Sequence, residues 1–230
     1  MSKKKNTKKA DNFQEVENVL TKTEQYIEEN QKTITTIVLI IIVVVAGYFA
    51  YMKFYVSPLE GEAASQMFVA EQYFEKDSFN LAINGDGNYL GFIDIIDEYG
   101  VTKSANLAQY YAGISYLKLA QYEEAIDYLK DFDSDDHIIA SIAKGAIGDA
   151  YIELGDNDKA ISYYLKAADE DNNKLTAPMY LMKAAKAYEA NDDYQNSLDI
   201  YNNIKDNYSK TTQARFIEKY ITRAKLNIEK

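Results

Sequence analysis

The 230-residue chain contains no cysteine and no tryptophan, one histidine, two prolines and ten glycines. Without cysteine there is no disulfide, no thiolate metal site, no Cys nucleophile and no lipid anchor on a Cys. One histidine makes His-based metal sites and a catalytic triad hard to assemble. So few Gly and Pro suit a helical chain better than a turn-rich β-protein. Basic side chains are the minority, 25 against 36 acidic, for a net charge of −11. That balance argues against nucleic acid as the main ligand, because phosphates are neutralised by Lys and Arg. Tyrosine, by contrast, occurs 21 times.

The charge is unevenly placed. Residues 1–34 hold seven basic and six acidic groups, whereas residues 57–230 hold 17 basic and 30 acidic, a net −13. Between them, Thr33 to Met52 runs twenty residues without a charge, and Ile37–Val45 is uninterrupted Val, Ile and Leu. A twenty-residue helix reaches about 30 Å, the hydrocarbon thickness of a bilayer. Tyr48, Phe49, Tyr51, Phe54 and Tyr55 gather where an interfacial aromatic belt would sit, and Lys53 can snorkel there. A cleaved signal peptide fits less well, since its basic region would exceed thirty residues. The positive-inside rule, with Lys22, Lys32 and the distal lysines on one side, predicts a cytoplasmic N-terminus and an external bulk. Phe13, Val16, Leu20 and Ile27, broadened by Val19 and Tyr26, predict an amphipathic lead-in helix within residues 11–32. Ser57-Pro58-Leu59-Glu60 has the form of a capping box and predicts a new helix starting beyond the span, with neither proline interrupting a helix.

The external part repeats itself. Ala112-Gly113, Tyr116, Tyr122, Ala125-Ile126 and Leu129 are echoed 35 residues later by Ile147-Gly148, Tyr151, Ala160-Ile161 and Tyr164. A third copy, Ala184-Ala185, Tyr188, Tyr194, Ser197-Leu198 and Tyr201, follows after 37 more. A period near 34 with small residues on both helices is a helix–turn–helix solenoid signature. Gly and Ala let antiparallel helices approach closely, and a Tyr or Leu fills the space beside each contact. Gly155 can take the positive φ of a helix-ending turn. Through this pattern residues 106–208 resemble the tetratricopeptide repeat family. Residues 59–100 read as a divergent first unit with a long joining loop, Asp77–Asn88. Ala214, Ile217, Ile221 and Ala224 predict a C-terminal capping helix, the cover a solenoid end requires. The expected fold is all-α, with about nine external helices and no strands.

Chemistry-bearing constellations are scarce. Asp131–Asp136 fails as a calcium loop, because its sixth and twelfth positions hold Asp136 and Ile142 rather than Gly and Glu. Asn84-Gly-Asp-Gly-Asn88 lacks a downstream Glu and reads as tight-turn chemistry. His137 has no Ser or Cys partner and reads as a helix-entry residue. No metal, cofactor or enzymatic activity is expected. The repeat register instead predicts a partner-binding groove lined by Leu107, Tyr110, Ile114 and Leu117, then Ile142, Asp149 and Ile152, then Met179, Met182 and Lys186. The divergent unit would add Met67, Glu71 and Phe74. That lining is mostly apolar and includes adaptable Met, which suits hydrophobic segments of varied sequence. It lacks the cationic cluster needed to clamp a peptide's terminal carboxylate.

The order of parts is a cytoplasmic tail with an amphipathic helix (1–32), a spanning helix (33–56), a divergent helix pair (57–105), three repeats (106–208) and a cap (209–230). With Tyr26-Ile-Glu-Glu-Asn-Gln-Lys32 leading into the span and the repeats from Ala112, it resembles the YfgM-like family of ancillary Sec-translocon subunits. The resemblance implies a single-pass bacterial inner-membrane protein with a periplasmic repeat domain. It also implies association with the SecYEG channel and with periplasmic chaperones or unfolded clients. The residues themselves equally allow a structural scaffold subunit of another envelope complex, with a fixed partner or a second copy in the groove.

Overall fold

The computed structural model describes residues 26–170 and 173–229, in two units, Met1–Val56 and Ser57–Lys230. The lysine cluster and the stripe of Phe13, Val16, Val19 and Leu20 lie outside the described residues. Tyr26 and Ile27 are exposed in a short helical stretch, 26–29.

In the first unit, helix α1 (Gln31–Tyr51) buries none of its residues. Its 21 residues extend about 31 Å at about 1.5 Å per residue, and the Ile37–Val45 run is exposed throughout. It lies in the described helical stretch that is long and apolar enough to cross a membrane. A π-helical turn follows at Met52–Val56. Pro58 accounts for that turn: its nitrogen carries no hydrogen for the Phe54 carbonyl, its ring crowds that oxygen, and a widened turn relieves both. The α-helix expected from Ser57 does begin there, but it follows the π-helical turn directly, so Ser57 is not the cap of a free helix end. Contrary to the sequence expectation, Pro58 does perturb a helix.

The second unit is a stack of α2 (Ser57–Glu75), α3 (Phe79–Asn84), α4 (Phe92–Tyr99), α5 (Lys103–Lys118), α6 (Tyr122–Asp131), α7 (His137–Glu153), α8 (Asn157–Asp169), α9 (Ala177–Ala190), α10 (Tyr194–Asn207), a 3-10 turn (Gln213–Phe216) and α11 (Ile217–Ile228). No strand occurs among the described residues. Each of α5 to α11 packs on its neighbour in sequence. The pairs α5/α6, α7/α8 and α9/α10 are the three repeats.

One turn recurs four times. Ala120, Gly155 and Asp192 take positive φ of 58°, 77° and 58°, and the following amide donates to the carbonyl of Tyr116, Tyr151 and Tyr188. Asp77, at φ 55°, repeats this with the Ser78 amide donating to Tyr73. Each is the six-to-one closure of a left-handed helix end. Four tyrosine positions thus set the register, and the divergent helix pair joins it with Tyr73. The long joining loop expected at Asp77–Asn88 is corrected accordingly. The inter-helix turn is as short as the others, and the second helix of the unit is broken into α3 and α4 by a Gly85–Gly91 loop. That break brings the described helices after the span to ten rather than nine.

Glycine acts where the helices touch. A Cβ on Gly113 would come within 2.5 Å of Leu129, and one on Gly148 within 2.6 Å of the Tyr164 ring. Both contacts join the two helices of one repeat. Gly145 serves the next junction, where a Cβ would sit 1.9 Å from Tyr180 of the following repeat. Around these contacts run three apolar clusters, centred on Phe92 and Ile95, on Ile126 and Ile147, and on Tyr201 and Ile204.

Glu60 and Asp86 have local structural tasks. Glu60 accepts hydrogen bonds from the Lys103 amide (2.6 Å), the Ser104 hydroxyl (2.7 Å) and the Ser104 amide (3.4 Å), capping α5 across the unit. Asp86 accepts from the Tyr73 hydroxyl (2.7 Å) and from the Asn88 and Tyr89 amides (2.9 Å each). The Asn84–Asn88 segment is therefore a turn held by its own carboxylate.

Candidate functional site

The first helix of each repeat (α5, α7, α9), with α2 of the divergent helix pair, carries the residues that the repeat register assigns to the expected groove. Counting back from the turn tyrosines, Glu71, Ile114, Asp149 and Lys186 occupy one register position, and Phe68, Tyr111, Ala146 and Lys183 another. The first position of one repeat meets the second position of the next. Glu71 interacts with Tyr111, and Asp149 with Lys183.

Among these residues, α7, α8 and α9 meet at a polar junction. Lys183 Nζ donates to both carboxylate oxygens of Asp149 at 2.7 Å, and the Tyr164 hydroxyl donates to Asp149 Oδ1 at 2.6 Å. The Lys183 ammonium also lies 5.6 Å and 5.7 Å from the ring centres of Tyr164 and Tyr180, which stack on each other. Burial, and then the Asp149 carboxylate, push the Tyr164 hydroxyl far above the ordinary phenol range. Burial does the same to Tyr180. Both tyrosines therefore stay neutral hydrogen-bonding groups at any physiological pH. Beside this junction a cleft of about 290 Å³ is lined by Leu117, Lys118, Tyr122, Asp149, Ile152, Glu153 and Tyr164. A larger cleft of about 670 Å³ lies among second-helix residues such as Leu165, Asn203 and Asn207, away from the junction.

The groove residues predicted from sequence divide into three groups. Tyr110, Ile114, Leu117, Ile142, Ile152 and Met179 are half-buried; all but Ile142 also pack against the apolar clusters, and each keeps part of its surface. Leu107 and Phe74 are half-buried in the same way, and Phe74 meets Phe79, Phe92 and Tyr111 edge-on. Met67 and Met182 are corrected: at 3% and 9% exposure they fill the interhelical core and offer almost nothing to a ligand. Each residue along a helix turns the side chain by about 100°, so one step from the groove row reaches the seam between helices. Asp149 carries the ion pair above, and exposed Lys186 lies 5.8 Å from the centre of the Tyr220 ring. Glu71 is half-buried, and burial followed by the nearby Glu75 charge raises its carboxyl above the usual range.

Lys183 was not singled out from sequence, and Tyr164 was read only as a repeat position. Their role needed the neighbouring helices in place, since both act through Asp149. The same holds for Glu189, which pairs with Arg223 of α11 across the last junction. The Asp131–Asp136 segment acts as helix-entry chemistry, with Asp136 accepting from the Ile138 (2.8 Å) and Ile139 (3.2 Å) amides as the cap of α7. His137 opens α7, 4.0 Å from Glu170, which also pairs with Lys144.

Comparison with known proteins agrees with this register. Tetratricopeptide repeat family models match residues 107–135, 145–176 and 180–211. No curated protein matches the sequence. Two solved structures of a putative kinesin light chain of Podosopora anserina with nearly identical TPR-like repeats, one of them a single-substitution variant, are similar in fold. Their TM-scores are 0.54 and, for the substituted form, 0.53. Each is 15% identical, with 74% of this chain and 88% of that chain covered. The second unit is thus a tetratricopeptide-like solenoid carrying three matched repeats, the architecture of a protein-interaction scaffold.

Proposed function

We propose that the protein is a membrane-anchored interaction scaffold whose groove receives apolar polypeptide segments at the external face of a bacterial inner membrane. The observation carrying this reading is the row of half-buried Tyr110, Ile114, Leu117, Ile142, Ile152 and Met179 around the Asp149–Lys183 pair. Open apolar surface supplies affinity without sequence readout, and a central ion pair orients a backbone crossing it. The long apolar α1 supports the anchor, and the flanking lysines support a cytoplasmic N-terminus and a periplasmic solenoid. The resemblance to ancillary translocon subunits then supplies the partners: the SecYEG channel, periplasmic chaperones and chains emerging from the channel. The competing reading is a fixed structural partner seated in the same groove of another envelope complex.

Site-specific photocrosslinking in intact membranes separates the two. Crosslinkers at Ile114 and Met179 should capture a heterogeneous set of exported chains together with channel components. One discrete band from both positions would instead assign a fixed partner. Equal capture from Asp127, on the exposed side of α6, would remove the groove from the account altogether.

A further inference from the structure

At each end of the solenoid large apolar side chains lie open, and at the α2 end the open one sits at a register position that the other repeats cover. Tyr111, Ala146 and Lys183 each follow a repeat that packs alongside. Phe68, their equivalent in α2, has no such cover among residues 57–229 and is 61% exposed. At the other end α11 buries Ile217, Ile221 and Ala224 and packs on α10, while Phe216 at its N-cap and Leu226 on the helix are 66% and 57% exposed. Scattered single apolar side chains need no explanation, but a large aromatic at each open end of a stack is where a further repeat would pack.

The ends are also oppositely charged. Helix α2 holds four acidic residues, Glu60, Glu62, Glu71 and Glu75, and no basic one. Residues 205–230 hold seven basic and three acidic residues, net +4; Arg223 is paired with Glu189 and Lys205 with Glu218, while among the described residues no ion pair joins Arg215 or Lys219 to an acid. Gly61 has open space beside its Cα, so α2 allows a close approach. Pairing two caps would set basic on basic, and pairing two α2 faces would set acid on acid. Only the unlike ends attract.

We propose that a second copy of this chain docks head to tail, its α2 face on the Phe216, Lys219 and Leu226 face of α11. The contact continues the stacking that joins repeats within the chain. Because it is heterologous, each copy keeps one unlike end free for a further copy, so association continues beyond a dimer into a ring or an open series.

The test uses the full chain in detergent, with mass measured by analytical ultracentrifugation. Wild-type protein should form dimers and longer species as concentration rises, receding when salt increases from about 50 mM to about 500 mM as screening requires. Phe216→Asp with Leu226→Asp should leave monomer, and so should Phe68→Asp. An equimolar mixture of these two disabled forms should give dimer and nothing longer, since each supplies one intact end. Lys219→Glu probes the same surface without touching an apolar contact and should weaken association at least about tenfold. A monomeric wild type at all concentrations overturns the proposal. So does assembly that survives Phe68→Asp, or a mixture that fails to dimerise. Binding of the wild type to anionic vesicles that is lost in Lys219→Glu, with no self-association, would assign the cap to a lipid surface instead.

Discussion

Gly145→Ala tests the contact that sets the spacing between the second and third repeats. The added Cβ would lie 1.9 Å from Cε1 and 2.1 Å from Cζ of Tyr180, against a preferred carbon–carbon separation of about 3.5–4.0 Å. The ring must therefore retreat by about 1.6–2 Å. Tyr180 is 3% exposed and stacked on Tyr164, so a retreat of that size displaces its neighbours. Overpacking of this kind costs about 1–3 kcal/mol. Full expulsion of the ring would forfeit about 150–250 Å² of burial, about 4–6 kcal/mol. Replacing Gly by Ala inside a helix returns about 1 kcal/mol. We expect a net loss of about 2 kcal/mol, or about 4–8 °C in Tm for a unit of this size. The assay is thermal unfolding of the full chain in detergent, followed by circular dichroism. Gly61→Ala is the matched reference: nothing lies within 4 Å of its Cβ, so the propensity gain of about 0.5–1 kcal/mol should raise Tm. Tyr180→Phe keeps both clashing carbons and should not rescue Gly145→Ala, whereas Tyr180→Leu should. A Gly145→Ala protein as stable as wild type, or rescued by Phe, would refute the argument.

Glu60→Ala removes the carboxylate that caps α5 and should cost about 0.5–2 kcal/mol, read as a lower urea midpoint, with Glu60→Gln recovering part of it. Asp149→Ala and Lys183→Ala should both reduce capture by a crosslinker at Ile114. Their double mutant should be no worse than either single one, because the two residues act as one pair. Hydrogen bonds from Tyr73, Asn88 and Tyr89 hold the Asp86 carboxyl below its usual range. Its stabilisation is therefore present above its ordinary pKa and lost as pH falls through the lower folded value. Asp86→Asn should abolish that acid-side slope in Tm. Glu71 has the opposite sign: burial and then Glu75 raise its carboxyl, so its contribution is present at acid pH and lost as pH rises through the folded value. Glu71→Gln should accordingly raise Tm at neutral pH, and a lowered neutral Tm would contradict the burial argument.

The repeat register shows how far local pattern reaches. Gly113 and Gly148 were legible as close-approach sites because they recur at one spacing beside Tyr116 and Tyr151. The expected groove face was drawn from the same count. The left-handed turn residue was legible only at Gly155, since Ala120, Asp77 and Asp192 take positive φ without being glycine. There the closing hydrogen bonds and the packing on either side impose the conformation on residues that do not prefer it. Tyr73 belongs to the same series but escaped notice. The Gly85–Gly91 interruption lengthens its repeat, and a fixed-period comparison passes over it.

What the sequence alone determined is whatever depends on periodicity and on long runs of one character. These are the all-helical class, the apolar stretch of spanning length, the three repeats and the absence of thiol chemistry. They are readable because a helix face or a twenty-residue apolar run is a property of neighbours along the chain. Only the tertiary structure decided which groove candidates stay open and which are consumed by packing. Met67 and Met182 went to the core, while Ile114 and Met179 kept surface. It alone joined Asp149 to Lys183 across 34 residues, lent Glu60 to the start of a helix 43 residues away, and left Phe68 and Phe216 uncovered at opposite ends. Burial and pairing depend on which repeat lies alongside, and that is set by the stacking of whole helices rather than by any local stretch of chain.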